Sequence, residues 1–561
     1  MRPVIYQVMT RLFGADSKQT RRFGSAEENG CGKMADFTLK ALEEIRQMGC
    51  THVWYTGLLE HATQTDYSAY GIDRDHEAVV KGRAGSPYAV KDYYDVDPDL
   101  AVHVPLRMKE FDNLVRRTHR VGLKVVMDFV PNHVARQYHS DAKPAGVKDL
   151  GADDDCLKAF SPQNNFYYIP GQQFAPQFHL HDHEGREYIE MPAKVTGNDC
   201  FTASPGKNDW YETVKLNYGI DYMGGRSEHF DPQPDTWQKM LQILLFWADK
   251  GVDAFRCDMA EMVPCAFWHW VIAQVKAQHP QVQFIAEVYN PNEYRNYLYH
   301  GGFDYLYDKV GLYDTLRQVV CGESASRITQ AWQQVDDIHT HMLNFLENHD
   351  EQRLASDFFA GNAEKGRPAL LVSALMRQNP FMLYFGQELG ERGMDEEGFS
   401  GRDGRTTIFD YWTLDTVSRW RNGGKFDGQR LTQEEKELQA YYRRVLQLSN
   451  EEVALREGEF FDIMYANYDN AMMNTHRQFA FLRKAEDELI VVVANFSDQP
   501  AQSSIRLPQH AFDYLHLPQS LKARKAVDLL TGEKENVVLH PDQLLEVLLP
   551  ANGGKVLKIN F

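Results

Sequence analysis

Four short segments of this chain each carry an acidic residue to the end of an apolar run. They read Val126-Met127-Asp128-Phe129-Val130-Pro131-Asn132-His133, Val252-Asp253-Ala254-Phe255-Arg256-Cys257-Asp258, Phe284-Ile285-Ala286-Glu287-Val288 and Phe345-Leu346-Glu347-Asn348-His349-Asp350. Runs of this kind are buried strands, and a carboxyl at a strand end is placed for acid–base or nucleophilic work. Arg256 and Asp258 are two residues apart on one strand, so both face the same side. A guanidinium there favours the ionised carboxylate, the form a nucleophile needs. One such pair could equally be a salt bridge closing the end of a fold. Acids arriving from three further strand ends favour a site. Cleavage of a glycosidic bond with retention needs two carboxyls about 5–5.5 Å apart. Residues ending neighbouring parallel strands, about 4.8 Å apart, meet that need. Asp258 and Glu287 are such a pair. The apolar Phe284-Ile285-Ala286 before Glu287 predicts a setting that favours the protonated acid.

These residues need a frame that brings distant strand ends together. Strands are expected over 4–8, 51–55, 123–129, 252–258, 282–288, 303–306, 341–346 and 381–385. Helices are expected over 35–48, 106–121, 235–250, 266–278, 326–335 and 367–378. Eight strand–helix alternations predict an α/β fold, a (β/α)₈ barrel whose active site lies at the C-terminal ends of the strands. An open doubly wound sheet is the competing arrangement, but no glycine-rich nucleotide loop supports it. Between residues 135 and 226 periodicity gives way to Pro, Gly, Asn, His and aromatics, which predicts an irregular domain inserted after the third strand. A helix over 432–449 is followed by short alternating runs at 479–483, 489–495, 501–507 and 543–549, an all-β domain. The expected division is barrel 1–134, inserted domain 135–226, barrel 227–451 and a C-terminal β-sandwich 452–561, the last most simply a cap on the barrel.

Composition narrows the partners. A net charge of -19 argues against nucleic acid and anionic membranes, which need basic patches. Aromatics make up 12% of the chain, enough to line a groove as well as a core, and sugar faces stack on rings. The seven cysteines include no CxxC pair and are odd in number, which fits neither a disulfide framework nor a zinc site. The start, Met1-Arg2-Pro3-Val4-Ile5-Tyr6-Gln7, lacks the pattern of a signal peptide, and no apolar run of about 18 residues occurs. A cytoplasmic location is expected, periplasmic or secreted if a signal peptide has been removed.

The four acidic segments resemble the conserved regions of the α-amylase family, glycoside hydrolase family thirteen. Asp128 to His133 is similar to its first region, Phe255-Arg256-Cys257-Asp258 to its second, Glu287-Val288-Tyr289 to its third and Asn348-His349-Asp350 to its fourth. Val4 to Val8 and Pro380 to Glu388 add to a likeness that covers nearly the whole chain in order. The resemblance implies Asp258 as nucleophile, Glu287 as acid/base and Asp350 as transition-state stabiliser. It implies substrate contacts from Arg256, His133, His349 and Tyr88, with Asp128 orienting Arg256 from behind. It also offers Asn132 as a calcium ligand, a structural calcium beside chemistry that needs no cofactor. The run Asp153-Asp154-Asp155 lacks an EF-hand pattern and reads as a solvated loop. Met259-Ala260-Glu261-Met262 and Tyr289 depart from the pattern many α-amylases show, where Lys and His end the first stretch and Trp replaces the tyrosine. Both changes bear on specificity at the acceptor side.

The expected function is hydrolysis of α-1,4 bonds in starch, glycogen or maltodextrin, with an oligo- or polysaccharide as the partner. A transglycosylase using the same intermediate is one alternative. An inactive carbohydrate-binding barrel is another, and the intact trio of acids speaks against it.

Overall fold

The computed structural model describes residues 2–519, 521–541 and 543–561, so the leading Met1 lies outside the described residues. Eight parallel strands close into a barrel: β1 (Val4–Met9), β2 (His52–Thr56), β3 (Lys124–Phe129), β4 (Ala254–Cys257), β5 (Gln283–Ala286), β6 (Tyr305–Tyr307), β7 (Met342–Phe345) and β8 (Phe381–Tyr384). Closure is made by β8 against β1, with Val4 opposite Phe381 and Gln7 opposite Tyr384. The (β/α)₈ architecture expected from the alternation is therefore present.

Alternation along each strand decides what the barrel contains. Ile5, Val126, Ala254, Ile285, Leu343 and Met382 pack together in the interior. Their sequence neighbours Val4, Phe255 and Phe284 join the outer layer under the helices. The inward register continues two residues on, to Gln7, Asp128, Arg256 and Glu287, and in β4 two more, to Asp258. The apolar interior thus hands over to a polar rim at one end.

Some helices start where a side-chain oxygen caps them. Thr38 accepts from the Ala41 amide and opens Leu39–Gln47, so this helix begins later than the sequence pattern predicted. Thr432 and Glu435 form a capping box for Gln433–Glu451. The helix Arg367–Leu375 is buried on every side. An apolar helix with no polar face needs cover all round. The barrel covers one side and the C-terminal sheet the other: the Arg483 Nη1 donates to the Leu375 carbonyl at 3.0 Å. At Gly554 a Cβ would stand 2.7 Å from Leu371 Cδ1 and 2.2 Å from the Val493 carbonyl, so only glycine permits this approach.

The C-terminal domain has a six-stranded sheet and a two-stranded one. Four of its strands, Glu459–Asp462, Leu521–Asp528, Lys534–Leu539 and Gly553–Asn560, escape the sequence pattern. Lys534–Leu539 is a half-exposed edge strand with polar residues at its start, and Gly553-Gly554 opens the last, so neither shows a clean apolar run. Between β3 and the helix Asp235–Asp249 the chain makes only short strands, among them His133–Ala135 paired with Thr213–Lys215. Between β2 and β3 stands a two-stranded hairpin, Leu59–His61 with Val90–Val96. Among the described residues no helix is long and apolar enough to cross a membrane.

Candidate active site

The rim is organised by Arg256, which is 1% exposed. Its Nη1 donates to Asp258 Oδ1 at 2.7 Å and to Asp128 Oδ1 at 3.3 Å. Its Nη2 lies 2.8 Å from Glu287 Oε2, and its Nε donates to the Tyr307 hydroxyl at 3.1 Å. The rings of Trp54, Tyr88 and Tyr307 surround the guanidinium at 5.2–5.6 Å. The spacing paired Arg256 with Asp258 and the resemblance added Asp128; the one guanidinium bridges these two and Glu287 as well. The expectation of an apolar setting for Glu287 also needs correcting. Phe284 and Ala286 point outward into the helix layer, so the Glu287 carboxyl meets polar groups instead. Oε2 accepts from the Met259 amide at 2.8 Å, and Oε1 accepts from the Tyr289 hydroxyl.

Asp258 uses its two oxygens differently. Oδ1 is held by Arg256, whereas Oδ2 is buried and has no hydrogen-bond partner. The His133 Nε2 lies 4.0 Å from it. Asp350 comes from the loop after β7. Its Oδ2 is 3.2 Å from His349 Nε2, and 41% of its side chain is open to the cleft. The Arg405 Nε donates to its carbonyl at 2.6 Å. Gln7 Nε2 lies 2.8 Å from His349 Nδ1, and with that amide donating, the ring proton sits on Nε2, facing Asp350. Tyr88 stacks on His349, centroids 5.1 Å apart, and its hydroxyl donates to Asp128 at 3.3 Å. Asp128 also accepts from Trp54 Nε1 at 2.8 Å. The acids, Arg256, both histidines and Tyr88 are thus brought to one rim.

Burial governs the charges there. It pushes the Asp258 carboxyl well up, with Arg256 pulling back and Glu287 adding to the rise. It lifts Asp128 to about 6, again against Arg256. Asp350 is raised by burial and then by Glu287, and the open side of its carboxyl tempers that rise. Burial lowers His133 to about 3 and takes His349 well below its ordinary value, so both rings are neutral donors at physiological pH. Arg256 therefore does not by itself keep every carboxyl ionised: acids crowded round one cation hold protons jointly.

Several groups here were not singled out from the sequence. Gln7, Trp54 and Tyr307 follow from the inward parity of β1, β2 and β6. Tyr289 was noticed for its type, and its hydrogen bond to Glu287 is new. Met259 adopts a left-handed φ of 43°, which turns its amide toward Glu287. Trp210 and Phe409 line the cleft from loops without periodicity, and no sequence signal marks them. The cleft holds about 370 Å³, less than a groove of about 540 Å³ between barrel and C-terminal domain. Chemistry, not size, marks the site, because the grouped acids lie in the smaller one.

Asn132 does not fit the role of calcium ligand. Its Oδ1 accepts from Lys215 Nζ at 2.8 Å, and the same ammonium is 2.6 Å from Asp199 Oδ1. Its Nδ2 donates to the Gly197 carbonyl at 2.8 Å. A lysine on the strand paired with His133–Ala135 supplies positive charge at this corner, and the lysine side chain is 1% exposed. Replacing Lys215 by Met should lower stability by about 2–3 kcal/mol, because an amide oxygen and a carboxylate lose their shared partner. Thermal melts would show a drop of several degrees that calcium chloride does not reverse; recovery with calcium would mean that an ion can take the ammonium's place.

A closed barrel with acids from four strand ends at one rim, three of them on one guanidinium, defines a carboxylate-based (β/α)₈ enzyme. The chain belongs to the α-amylase family, whose profile, described as Alpha amylase, catalytic domain, matches residues 19–420, and it is thus an enzyme of the glycoside hydrolase class. It is 24% identical to Alpha-amylase 3 of Dictyoglomus thermophilum over 73% of this chain and 74% of that protein. It is 23% identical to a cyclomaltodextrinase of a Bacillus species over 88% of this chain and 72% of that one. Among solved structures, the acarbose-bound α-amylase of Geobacillus thermoleovorans aligns over 100% of this chain and 98% of its own, with a TM-score of 0.64 at 17% identity, a likeness of fold.

Proposed function

We propose that the protein hydrolyses α-1,4-glucosidic bonds in starch-, glycogen- or maltodextrin-type glucans through a covalent glycosyl-enzyme. The observation that carries this reading is the division of labour at Asp258: one oxygen fixed by Arg256, the other buried and unpartnered beside Glu287. A carboxylate oxygen left free at the cleft has an electrophilic carbon as its natural partner. Relatives named as an α-amylase and a cyclomaltodextrinase support the substrate class.

In this mechanism Asp258 Oδ2 attacks the anomeric carbon while Glu287 gives a proton to the departing oxygen. One carboxyl must be protonated and one ionised, and a crowded set of acids that retains a proton meets that need. The Tyr289 hydroxyl and Met259 amide hold the Glu287 carboxyl in place through both steps. Glu287 then takes a proton from the water that releases the sugar. Asp350, open on one side to the cleft, holds sugar hydroxyls more tightly as the ring flattens, aided by the neutral His349 donor. Tyr88 offers a ring face and His133 a neutral donor at the same subsite.

Incubation with maltoheptaose, followed by chromatography and proton NMR before mutarotation, tests this. Shorter sugars released as α-anomers are expected. Longer sugars would assign transglycosylation, no change would leave a binding barrel, and fresh β-anomer would sink the double displacement.

A further inference from the structure

The hairpin between β2 and β3 holds a second group of acids, apart from the active site. Glu60 lies opposite Asp92 in the pairing, and Leu59, one residue earlier, lies opposite Val96. This slip of register sets Asp95, three residues from Asp92, on the same side, where a regular strand would turn it away. Asp141, from the segment after the short strand His133–Ala135, completes the group. One oxygen from each of Glu60, Asp92, Asp95 and Asp141 lies within 4.8 Å of the others.

Four carboxylates alone would be no more than an acidic cluster. Glu60 makes the difference: it is 1% exposed, and neither of its carboxylate oxygens has a hydrogen-bond partner. A buried carboxylate without partners costs several kcal/mol, about as much as an ion pair broken on one side. Neither nearby cation reaches Glu60: one holds Asp95, and the other is engaged outside the cluster. Arg107 Nε donates to Asp95 Oδ2 at 2.9 Å from the outer side. Lys91 faces the opposite side of the strand, 3.3 Å from Asp75. Two of the other acids are already aimed: Asp92 accepts from Ser140 Oγ at 2.6 Å, from the Tyr94 amide at 2.7 Å and from the Ala142 amide at 3.1 Å. Asp95 accepts from the Val96 amide at 2.8 Å. Asp141 is exposed, which leaves a way in for an ion and room for water.

We propose that Glu60, Asp92, Asp95 and Asp141 form a binding site for one calcium-class divalent cation that clamps the β2–β3 hairpin to the segment after residue 135. Hard oxygen donors alone, with no nitrogen or sulfur, select calcium or magnesium over transition metals. Oxygens within 4.8 Å of one another can converge on one ion of flexible geometry with bonds of about 2.4 Å. Magnesium, with bonds of about 2.0–2.1 Å and reluctance to shed water, is the poorer fit. The site is distinct from the Asn132 corner, which Lys215 already fills.

The full chain is stripped with a chelator, desalted and titrated with calcium chloride, with magnesium chloride in a parallel arm. Calcium should raise the melting temperature by ~5 °C or more, as a ligand bound only to the folded state does. Terbium should bind once per chain, with luminescence sensitised by Tyr93 and Tyr94 and quenched on displacement by calcium. Glu60→Gln should abolish both responses and, having lost a buried charge, melt no lower than the stripped wild type. Asp141→Asn, at an exposed position, keeps the test open if Glu60→Gln does not fold, and should weaken terbium binding at least tenfold. A chelated protein indifferent to calcium overturns the proposal, as does a calcium or terbium response that survives in Glu60→Gln or, should that variant not fold, is unchanged in Asp141→Asn. An equal or stronger response to magnesium overturns the choice of ion.

Discussion

Asp258→Ala, Glu287→Gln and Asp350→Asn should each keep the fold and lower turnover on maltoheptaose by about 10³-fold or more, with Asp258→Ala the most severe. The reason differs for each. Asp258→Ala removes the only group placed to form the covalent bond, and no water can occupy the same position with the same charge. Glu287→Gln keeps the contacts to Arg256, Met259 and Tyr289 in outline but has no proton to give. An α-glucosyl fluoride, whose leaving group departs with little acid help, should therefore recover a large share of the lost rate in Glu287→Gln and none in Asp258→Ala. Asp350→Asn should leave KM nearly unchanged and act on kcat, because its bonds to the sugar strengthen only as charge develops. Circular dichroism shows whether the fold is kept, and steady-state kinetics on both substrates separates the three roles. Equal rescue of all three by the fluoride would remove the assignment of Glu287 as the acid.

Arg256→Met should cost stability as well as activity, about 3–5 kcal/mol at pH 8. One guanidinium neutralises three carboxyls, and losing it leaves them buried beside one another. The loss should be smaller at pH 5. A carboxyl whose folded pKa exceeds its unfolded value binds more protons folded than unfolded between the two, so stability falls as pH rises through that window. In the intact protein Asp128 sets such a window from about 4, the unfolded value, to about 6. Without Arg256 the opposing pull on Asp128 and Asp258 is gone, the window extends upward, and protonation at low pH relieves more of the repulsion. Urea unfolding at pH 5 and pH 8 reads the difference directly. A larger deficit at pH 5 than at pH 8 would contradict this account of the cluster.

Much of this was legible from residue order. The eight barrel strands all fall within the expected runs or within two residues of them, because strands buried on both faces are apolar without interruption. The acids at their ends stand out against that background, and so Asp258 and Glu287 could be paired before any coordinates. The environment of Glu287 could not be read this way. The residues preceding it on the strand point outward or down the barrel, and its neighbours come from Tyr289, Met259 and a neighbouring strand's arginine. Sequence adjacency described the strand, not the space. The Asn132 corner failed for a similar reason: its partner Lys215 is 83 residues away and arrives by pairing of two short strands inside an aperiodic segment. Trp210 lies in the same aperiodic segment, and Phe409 in the irregular stretch after β8.

Lys215 carries a wider implication. An ion held by side chains is in exchange with the medium, and its occupancy follows mass action: it falls with dilution, competes with chelators and tracks the calcium activity of the compartment. An ammonium carried on the chain has no dissociation constant. It is present at one per molecule at any protein concentration, and its cost was met once, when the chain folded. The corner that joins the strand bearing His133 to the rest of the excursion is therefore insulated from the ionic composition around it. If the hairpin acids hold calcium, the two fastenings of this segment answer to different controls. The contact through Asp141 senses divalent ions, and the contact through Asn132 and Lys215 is indifferent to them.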